Sequence, residues 1–385
     1  KVVTYIDCLN LGNDKSLSPG VFSSLPLDSF VCQTPHCPDF HQSGRDNVRL
    51  KKLYGPEQRR LLRCRTCGTN FSETKGTPYW GSKLSPARVD SIVDHLTHGN
   101  CFSSTASLTG CHRTTVARIM RQAGVHLQQF HNQHARDLKV TSMQADERHS
   151  FVGEKAEQAW DFTVVDPRSK FVIEGQVGTR TTELTKILLI GAKERLAAPQ
   201  NLVLFTDGYL PYQSLFPELF GTAWQPPRQG KRGRFPQQAY RIPRRLAHVR
   251  IIKEYSGKRV VGVRTEVAAG TQKRVNQELQ SLGYTTPNTS AVERQNGTAR
   301  RMNPHLARKS LAFARLPFHR VTLAGLVQGV YNWCRTQRGL RQSLVKPVGR
   351  RKYAQRTPAM AIGLTSRCWT IRELLSLPCG AACRS

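Results

Sequence analysis

The stretch 202-LVLFTDGYLPY-212 decides how this chain is read. Leu202 to Phe205 is an unbroken apolar run, too short for a helix and rich in strand formers, so it reads as a fully buried strand. It stops at Asp207-Gly208. A carboxylate at the mouth of a buried strand is costly unless a cation or donor answers it. The plainer reading is an Asp-Gly turn. The charge of the chain and its other acids decide between them.

Across 385 residues, 58 Lys and Arg face 26 Asp and Glu, a formal net charge of +32. A field of that size points to polyanionic partners. Apolar content of 38% with five Trp and fifteen Phe supports a packed core. No apolar run reaches the length of about 20 residues a membrane helix needs, so no membrane partner is expected. No secretory signal is legible and the eleven Cys are odd in number, which predicts a reducing cytosol rather than a disulfide framework.

The expected organisation is α+β or α/β and multidomain. Residues 1–30 read as a lead-in, 31–80 as a zinc-finger-like module and 81–135 as a helical domain. Residues 140–340 read as a mixed-sheet domain with a basic insertion at about 225–270, and 341–385 as a C-terminal basic tail. Ser85-Pro86 opens a helix carrying Val89, Ile92, Val93 and Leu96 at helical spacing. A second short helix ends near Gly110, and a third runs from Arg113 through Met120. Strands follow from about Ser142: 160-WDFTVVD-166 and 171-FVIEGQV-177 form a hairpin. Thr182–Leu196 reads as a helix. Within the insertion 248-HVRIIKEY-255 and 259-RVVGVR-264 read as strands, and helices resume from about Gln272 to the end.

Cys32 and Cys37, followed by Cys64 and Cys67 on the knuckle 64-CRTC-67, suit tetrahedral thiolate coordination of one structural Zn²⁺. His36 or His41 could substitute for one thiolate, and four unrelated core thiols remain the plain alternative. Arg60, Arg63 and Arg65 flank the second pair, where positive charge favours the thiolate form.

In 102-FSSTASLTGCHRTTVARIMRQAG-124 a short helix, a Gly-bearing turn and a second helix follow in the layout of a helix-turn-helix. Arg113, Thr114, Thr115, Arg118 and Arg121 would then contact double-stranded DNA. An ordinary helical packing unit has the same outline.

No Asp follows Asp207, and the only later Glu are Glu218, Glu254, Glu266, Glu278, Glu293 and Glu373. In 289-TSAVERQNGTARRMN-303 a capping Thr289 or Ser290 places Glu293 near the positive end of a helix, with Asn296 and Arg300 on its face. Asp146 falls on an early strand. Acids on a first strand, just past a fourth strand and on a following helix match a ribonuclease H-like sheet. Such acids can bind two Mg²⁺ (or Mn²⁺) ions about 4 Å apart. A cation at Asp207 answers the opening question.

With these segments the chain resembles DDE-type insertion-sequence transposases, nearest the small bacterial type called insertion sequence one. The resemblance runs from about Cys32 to Leu375. It rests on 64-CRTCGTNF-71, Asp146-Glu147, 206-TDGYLPY-212, 292-VERQNGTAR-300, 306-LARKSLAFAR-315 and 331-YNWCRTQRGLR-341. It implies Asp146, Asp207 and Glu293 as catalytic metal ligands, supported by Asn296 and Arg300. It also implies cleavage at inverted-repeat ends, strand transfer by a 3′-hydroxyl, a homodimer or higher oligomer on DNA, and a cytoplasmic, nucleoid-associated location. His149 stands where that family often has Trp. Between Arg228 and Arg264 there are 12 Lys and Arg against Glu254 alone, so Arg228, Lys231, Arg232, Arg234, Arg244 and Arg245 are expected to clamp DNA. A DNA-binding regulator and a ribonuclease H-like structure-specific nuclease are the competing readings.

Overall fold

The computed structural model describes residues 25–42, 44–228, 235–348 and 351–379. The chain forms two compact units, one of 1–134 with 300–385 and one of 135–299.

The first unit opens with an antiparallel sheet of β1 (Val48–Tyr54), β2 (Arg59–Cys64) and β3 (Asn70–Ser72). Three helices follow: α1 (Pro86–Thr97), α2 (Phe102–Thr109) and α3 (Arg113–His134). Pro86 occupies the first turn of α1, where a missing N–H costs nothing, and Val89, Ile92, Val93 and Leu96 are buried on one face. Gly110 ends α2 in the left-handed region at φ 62°, a geometry glycine adopts without a Cβ penalty.

The second unit is built on a six-stranded sheet. Its first strands are β4 (Ser142–Val152), β5 (Glu154–Val165) and β6 (Val172–Gly178), followed by α4 (Thr182–Glu194), β7 (Leu202–Thr206) and α5 (Pro211–Phe220). A small pair, β8 (Thr222–Trp224) and β9 (Ala239–Arg241), precedes β10 (Leu246–Ser256) and β11 (Arg259–Ala269). Helices α6 (Gln272–Leu282) and α7 (Ser290–Met302) come last, and the boundary of the unit falls inside α7. The strand order is β11-β10-β7-β4-β5-β6. β7 runs parallel to both its neighbours, β4 and β10, and the remaining pairs are antiparallel. The first strand of this unit therefore lies beside its fourth. All five residues of β7 are buried, as its apolar run requires of a strand covered on both faces. Val203, Phe205, Ala247, Val249 and Ile251 form a core with Val275 and Leu279 of α6.

This sheet corrects the expected insertion at about 225–270. β10 is an interior strand of the sheet and β11 its edge, so only the stretch before Leu246 is an excursion. The expected strands 248–255 and 259–264 fall within β10 and β11, and what the basic composition obscures is their place in the sheet: Leu246–Ile251 are all buried, whereas Lys253 and Glu254 lie beyond the core.

The C-terminal stretch completes the first unit with α8 (Pro317–Trp333), β12 (Gln342–Val348), β13 (Arg351–Ala354), α9 (Pro358–Ile362) and α10 (Ile371–Ser376). Two expectations are corrected here. Residues 341–385 are not a simple tail: β12 and β13 pair antiparallel. Beyond them Trp369 packs 5.1 Å from Trp333, and Arg372 bonds Asp90 of α1 at 2.6 Å. The third helix does not stop at Met120 but continues to His134, because Ala123, Leu127 and Phe130 keep its buried stripe going. Gly124 lies inside this helix. A Cβ there would lie 2.1 Å from the Thr322 carbonyl oxygen, so this glycine lets α8 approach α3 backbone to backbone.

Candidate functional site

The carboxylate site begins with the pleat of β4. Alternate residues Gln144, Asp146 and Arg148 all bond to α7 or the turn before it, as a period of two demands. Gln144 Oε1 accepts from the Ala291 and Val292 N–H groups at 2.9 and 3.1 Å, while its Nε2 donates to the Asn288 carbonyl. The side chain thus satisfies orphan donors at the start of α7. Asn296 Nδ2 donates to Asp146 Oδ2 at 2.6 Å. Arg148 Nη1 donates to Gln295 Oε1 at 2.7 Å and its Nη2 reaches Asp161 and Thr163.

Glu147 points the other way. Its carboxylate accepts from the Tyr212 hydroxyl at 2.6 Å and from Arg180 Nη2 at 2.9 Å. The Arg180 guanidinium also sits 4.0 Å from the Tyr209 ring centroid and 4.8 Å from that of Trp160, so cation–π contacts help fix it. Asp207 leaves β7 in a turn closed by the Tyr209 N–H, which donates to its Oδ1 at 2.9 Å. Arg250 of β10 donates to the neighbouring Gly208 carbonyl at 3.3 Å.

One oxygen from each of Asp146, Glu147 and Asp207 lies within 4.8 Å of the others. Burial, then the charge of Asp207, pushes the Asp146 carboxyl up to about 6 and the Glu147 carboxyl up to about 7. Two further observations bear on a cation. All the donors are hard oxygens, the set that suits Mg²⁺ or Mn²⁺. Asn296 is 5% exposed, and its Oδ1 has no hydrogen-bond partner among the described residues. An acidic cluster with an orphaned amide oxygen beside it fits a divalent cation.

Glu293 is placed differently from the other expected acids. It lies in the first turn of α7, accepts from Thr289 Oγ1 at 3.0 Å and pairs with Lys253 of β10 at 2.5 Å. It stands outside the three-acid group, though its charge contributes to the raised Asp146 carboxyl. Arg300 falls in the last turn of α7, in the first unit. His149 is exposed, with its ring 4.9 Å from that of Trp160.

In the first unit Cys32, Cys37, Cys64 and Cys67 converge, their sulfurs all within 4.8 Å of one another. Cys32 and Cys67 are 3.7 Å apart and Cys37 and Cys64 3.9 Å. Four thiols at this spacing fit one tetrahedral Zn²⁺. Hydrogen bonds from Thr69 pull the Cys67 thiol down to about 6, and burial pushes Cys32 up to about 12. His41 turns to Gln33, its Nε2 3.3 Å from Oε1. Arg60 binds Glu73 at 2.7 Å and the Leu25 carbonyl, so its charge is already engaged.

Of the expected DNA contacts, Arg113, Thr114 and Arg121 are exposed, and Thr115 and Arg118 are half-buried on α3. α3 lies in a trough rather than standing clear. One flank is a cavity of about 750 Å³ lined by Trp80, Lys83, Arg118 and Arg121. The other flank, of about 850 Å³, is lined by Arg113, Thr114, Leu311 and Arg315. Arg244 and Arg245 are exposed before β10, and the Arg228 guanidinium lies 3.9 Å from the Phe235 ring centroid. Lys231, Arg232 and Arg234 lie outside the described residues.

Several partners at the carboxylate site carry no sequence signal of their own. Gln144 and Arg148 are two of many polar residues in 142-SMQADERHSFV-152, and nothing in the sequence singles them out. Arg180 reads as an ordinary turn residue, whereas Tyr212 is legible only as the end of the segment 206-TDGYLPY-212.

Among the described residues no helix is long and apolar enough to cross a membrane. No family model matches the chain, and no curated protein does. Among solved structures, the crystal structure of the Mos1 strand transfer complex matches at 10% identity, over 64% of this chain and 79% of that one. Its TM-score of 0.17 is too low to bear on fold or activity.

Proposed function

We propose that this chain is a DDE-type DNA transposase that binds the inverted-repeat ends of an insertion element. It would cleave them and join the freed 3′-hydroxyl to target DNA, acting on DNA as a dimer or larger assembly. One observation carries this reading: Asp146, Glu147 and Asp207 gather where two adjacent parallel strands, β4 and β7, meet, with Asn296 of α7 holding Asp146. A sheet whose first strand lies beside its fourth, flanked by helices, is what a ribonuclease H-like domain requires, and it supports the reading.

Asp146 and Asp207 are assigned to hold Mg²⁺ or Mn²⁺, with Glu293 or Glu147 as the third acid. Bound there, the cations would supply Lewis-acid activation of the attacking oxygen and charge stabilisation of the leaving oxygen. The protein's own contribution is positional. Asn296 fixes the Asp146 carboxylate, and its free Oδ1 is available to a further donor or cation. Lys253 pairs with the Glu293 carboxylate in the first turn of α7, a contact that a bound cation would compete with. Tyr212 and Arg180 hold Glu147 in one orientation. Each reaction is an in-line displacement at phosphorus. The water or 3′-hydroxyl oxygen forms the new P–O bond, and the opposite P–O bond breaks with its electron pair leaving on oxygen.

The four-cysteine cluster is assigned one structural Zn²⁺. α3 with Arg113, Thr114, Thr115, Arg118 and Arg121 is assigned to the element ends, and the basic stretch 228–245 to the DNA backbone. The test is strand cleavage and joining on duplexes carrying the repeats that flank the gene, with Mg²⁺ or Mn²⁺, wild type beside Asp207→Asn. Nicking at the repeat boundary and joined product from wild type alone are expected. Selective binding with no cleavage by either protein would favour a regulator. Cleavage without joining would favour a nuclease.

A further inference from the structure

We propose a second duplex-DNA contact beside the start of α3: the turn at 307–312, with Leu311 acting as a wedge between base steps. The inference rests on the DNA-binding reading above. Leu311 is 94% exposed, and Leu316 and Phe318 are 53% and 51% exposed on the same segment. A single exposed leucine means little, but three large apolar side chains along one short segment mark a surface awaiting a partner.

The segment is held at both ends. Asn303, Pro304 and Leu306 are buried at its base, where the Asn303 side chain accepts from the His305 N–H at 3.0 Å. Ala314 is buried at the other end. Between them Lys309 takes the left-handed conformation at φ 53°, and Ser310 Oγ accepts from the Ala312 N–H at 3.0 Å. Leu311 is thus presented on a pinned turn.

Charge identifies the partner. Arg308, Lys309 and Arg315 are exposed around Leu311, and the sequence has no Asp or Glu between Glu293 and Glu373. Leu311 lines the same cavity as Arg113 and Thr114 of α3. An apolar side chain ringed by cations is poorly suited to an apolar protein face, which would strand those charges. It is the chemistry of a side chain that enters a groove and unstacks one step while its neighbours bind phosphates. DNA seated on α3 would be kinked at this turn.

The experiment uses the full chain and a duplex of roughly 30 base pairs, from the DNA flanking the gene, with a fluorescence donor and acceptor at its ends. Wild type should bind and raise energy transfer. Leu311→Ala should bind about tenfold more weakly, keep the same salt dependence and lose the rise in transfer. Leu311→Phe, which retains an apolar wedge, should restore it. The pair Arg308→Ala with Lys309→Ala should flatten the log–log salt slope by about 2, roughly 0.9 per lost phosphate contact. A Leu311→Ala protein that bends DNA like wild type would overturn the wedge and leave the DNA-binding reading intact. Loss of a dimer in DNA-free Leu311→Ala, with bending unchanged, would assign this surface to a second copy and overturn it too. If wild type fails to bind any duplex, the DNA-binding reading falls first.

Discussion

Asn296 Nδ2 donates to Asp146 Oδ2 at 2.6 Å across 150 residues of sequence, tying α7 to the strand that carries the first acid. Replacing Asn296 by Ala removes a charge-assisted donor, worth about 1.5–3 kcal/mol. Without it the ionised carboxylate is less favoured, so the Asp146 carboxyl should rise further above about 6. Cleavage by Asn296→Ala should fall at least tenfold at neutral pH and recover in part at higher pH. A loss of activity equal at every pH would show that Asn296 serves the fold alone.

The paired acids also set a pH dependence for the metal-free protein. Asp146 and Glu147 have folded values of about 6 and 7, above their ordinary 3.8 and 4.5. A raised carboxyl means the unfolded chain ionises first, so stability is lost as pH rises. The window opens near pH 4 and closes just above pH 7. The loss should be on the order of 3 kcal/mol for each carboxyl, and Asp146→Asn should recover part of it at pH 8 but none at pH 4. Denaturant melts at both pH values, with chelator and then with Mg²⁺, check this. Stability that rises between pH 4 and 8 in chelator would contradict the assigned burial of the two acids.

Gly124 carries the close approach of α3 and α8. An alanine Cβ would lie 2.1 Å from the Thr322 carbonyl oxygen, and neither backbone can yield locally. Gly124→Ala should destabilise by about 3 kcal/mol or more despite its higher helix propensity. A melting temperature at or above that of wild type would show that the two helices do not meet this closely.

The four thiols predict a bound metal that activity assays need not reveal. Purified protein should contain close to one zinc per chain, and Cys64→Ser should lower it while exposing the first unit to proteolysis. Full zinc in the Cys64→Ser protein would remove Cys64 from the ligand set.

The parts of this structure that are legible in sequence share a local cause. β7 declares itself through four consecutive apolar residues, and α1 through apolar positions at helical spacing opened by a Ser-Pro signal. The Cys pairs can be matched by spacing because metal ligation constrains side chains rather than sequence distance. What cannot be read depends on contacts between distant segments. Gln144 caps a helix that begins 146 residues later, and nothing near it in sequence says so. Gly124 carries no local signal of its role, because its reason is the backbone of α8. β10 reads as a strand within an insertion because the charged residues that follow its buried first half obscure its place in the sheet. Glu147 is visible beside Asp146, but its nearness to Asp207 follows from neighbouring strands that only the sheet brings together.

Cation binding at the acid cluster tests the account most directly, apart from any DNA or turnover. Titration of zinc-loaded protein with Mn²⁺, followed by electron paramagnetic resonance and calorimetry, should show saturable binding at pH 8 that weakens below about pH 6 as the carboxyls protonate. Asp207→Asn should weaken it at least tenfold with the fold intact. Equal Mn²⁺ binding by wild type and Asp207→Asn would contradict the claim that these carboxylates form a metal centre.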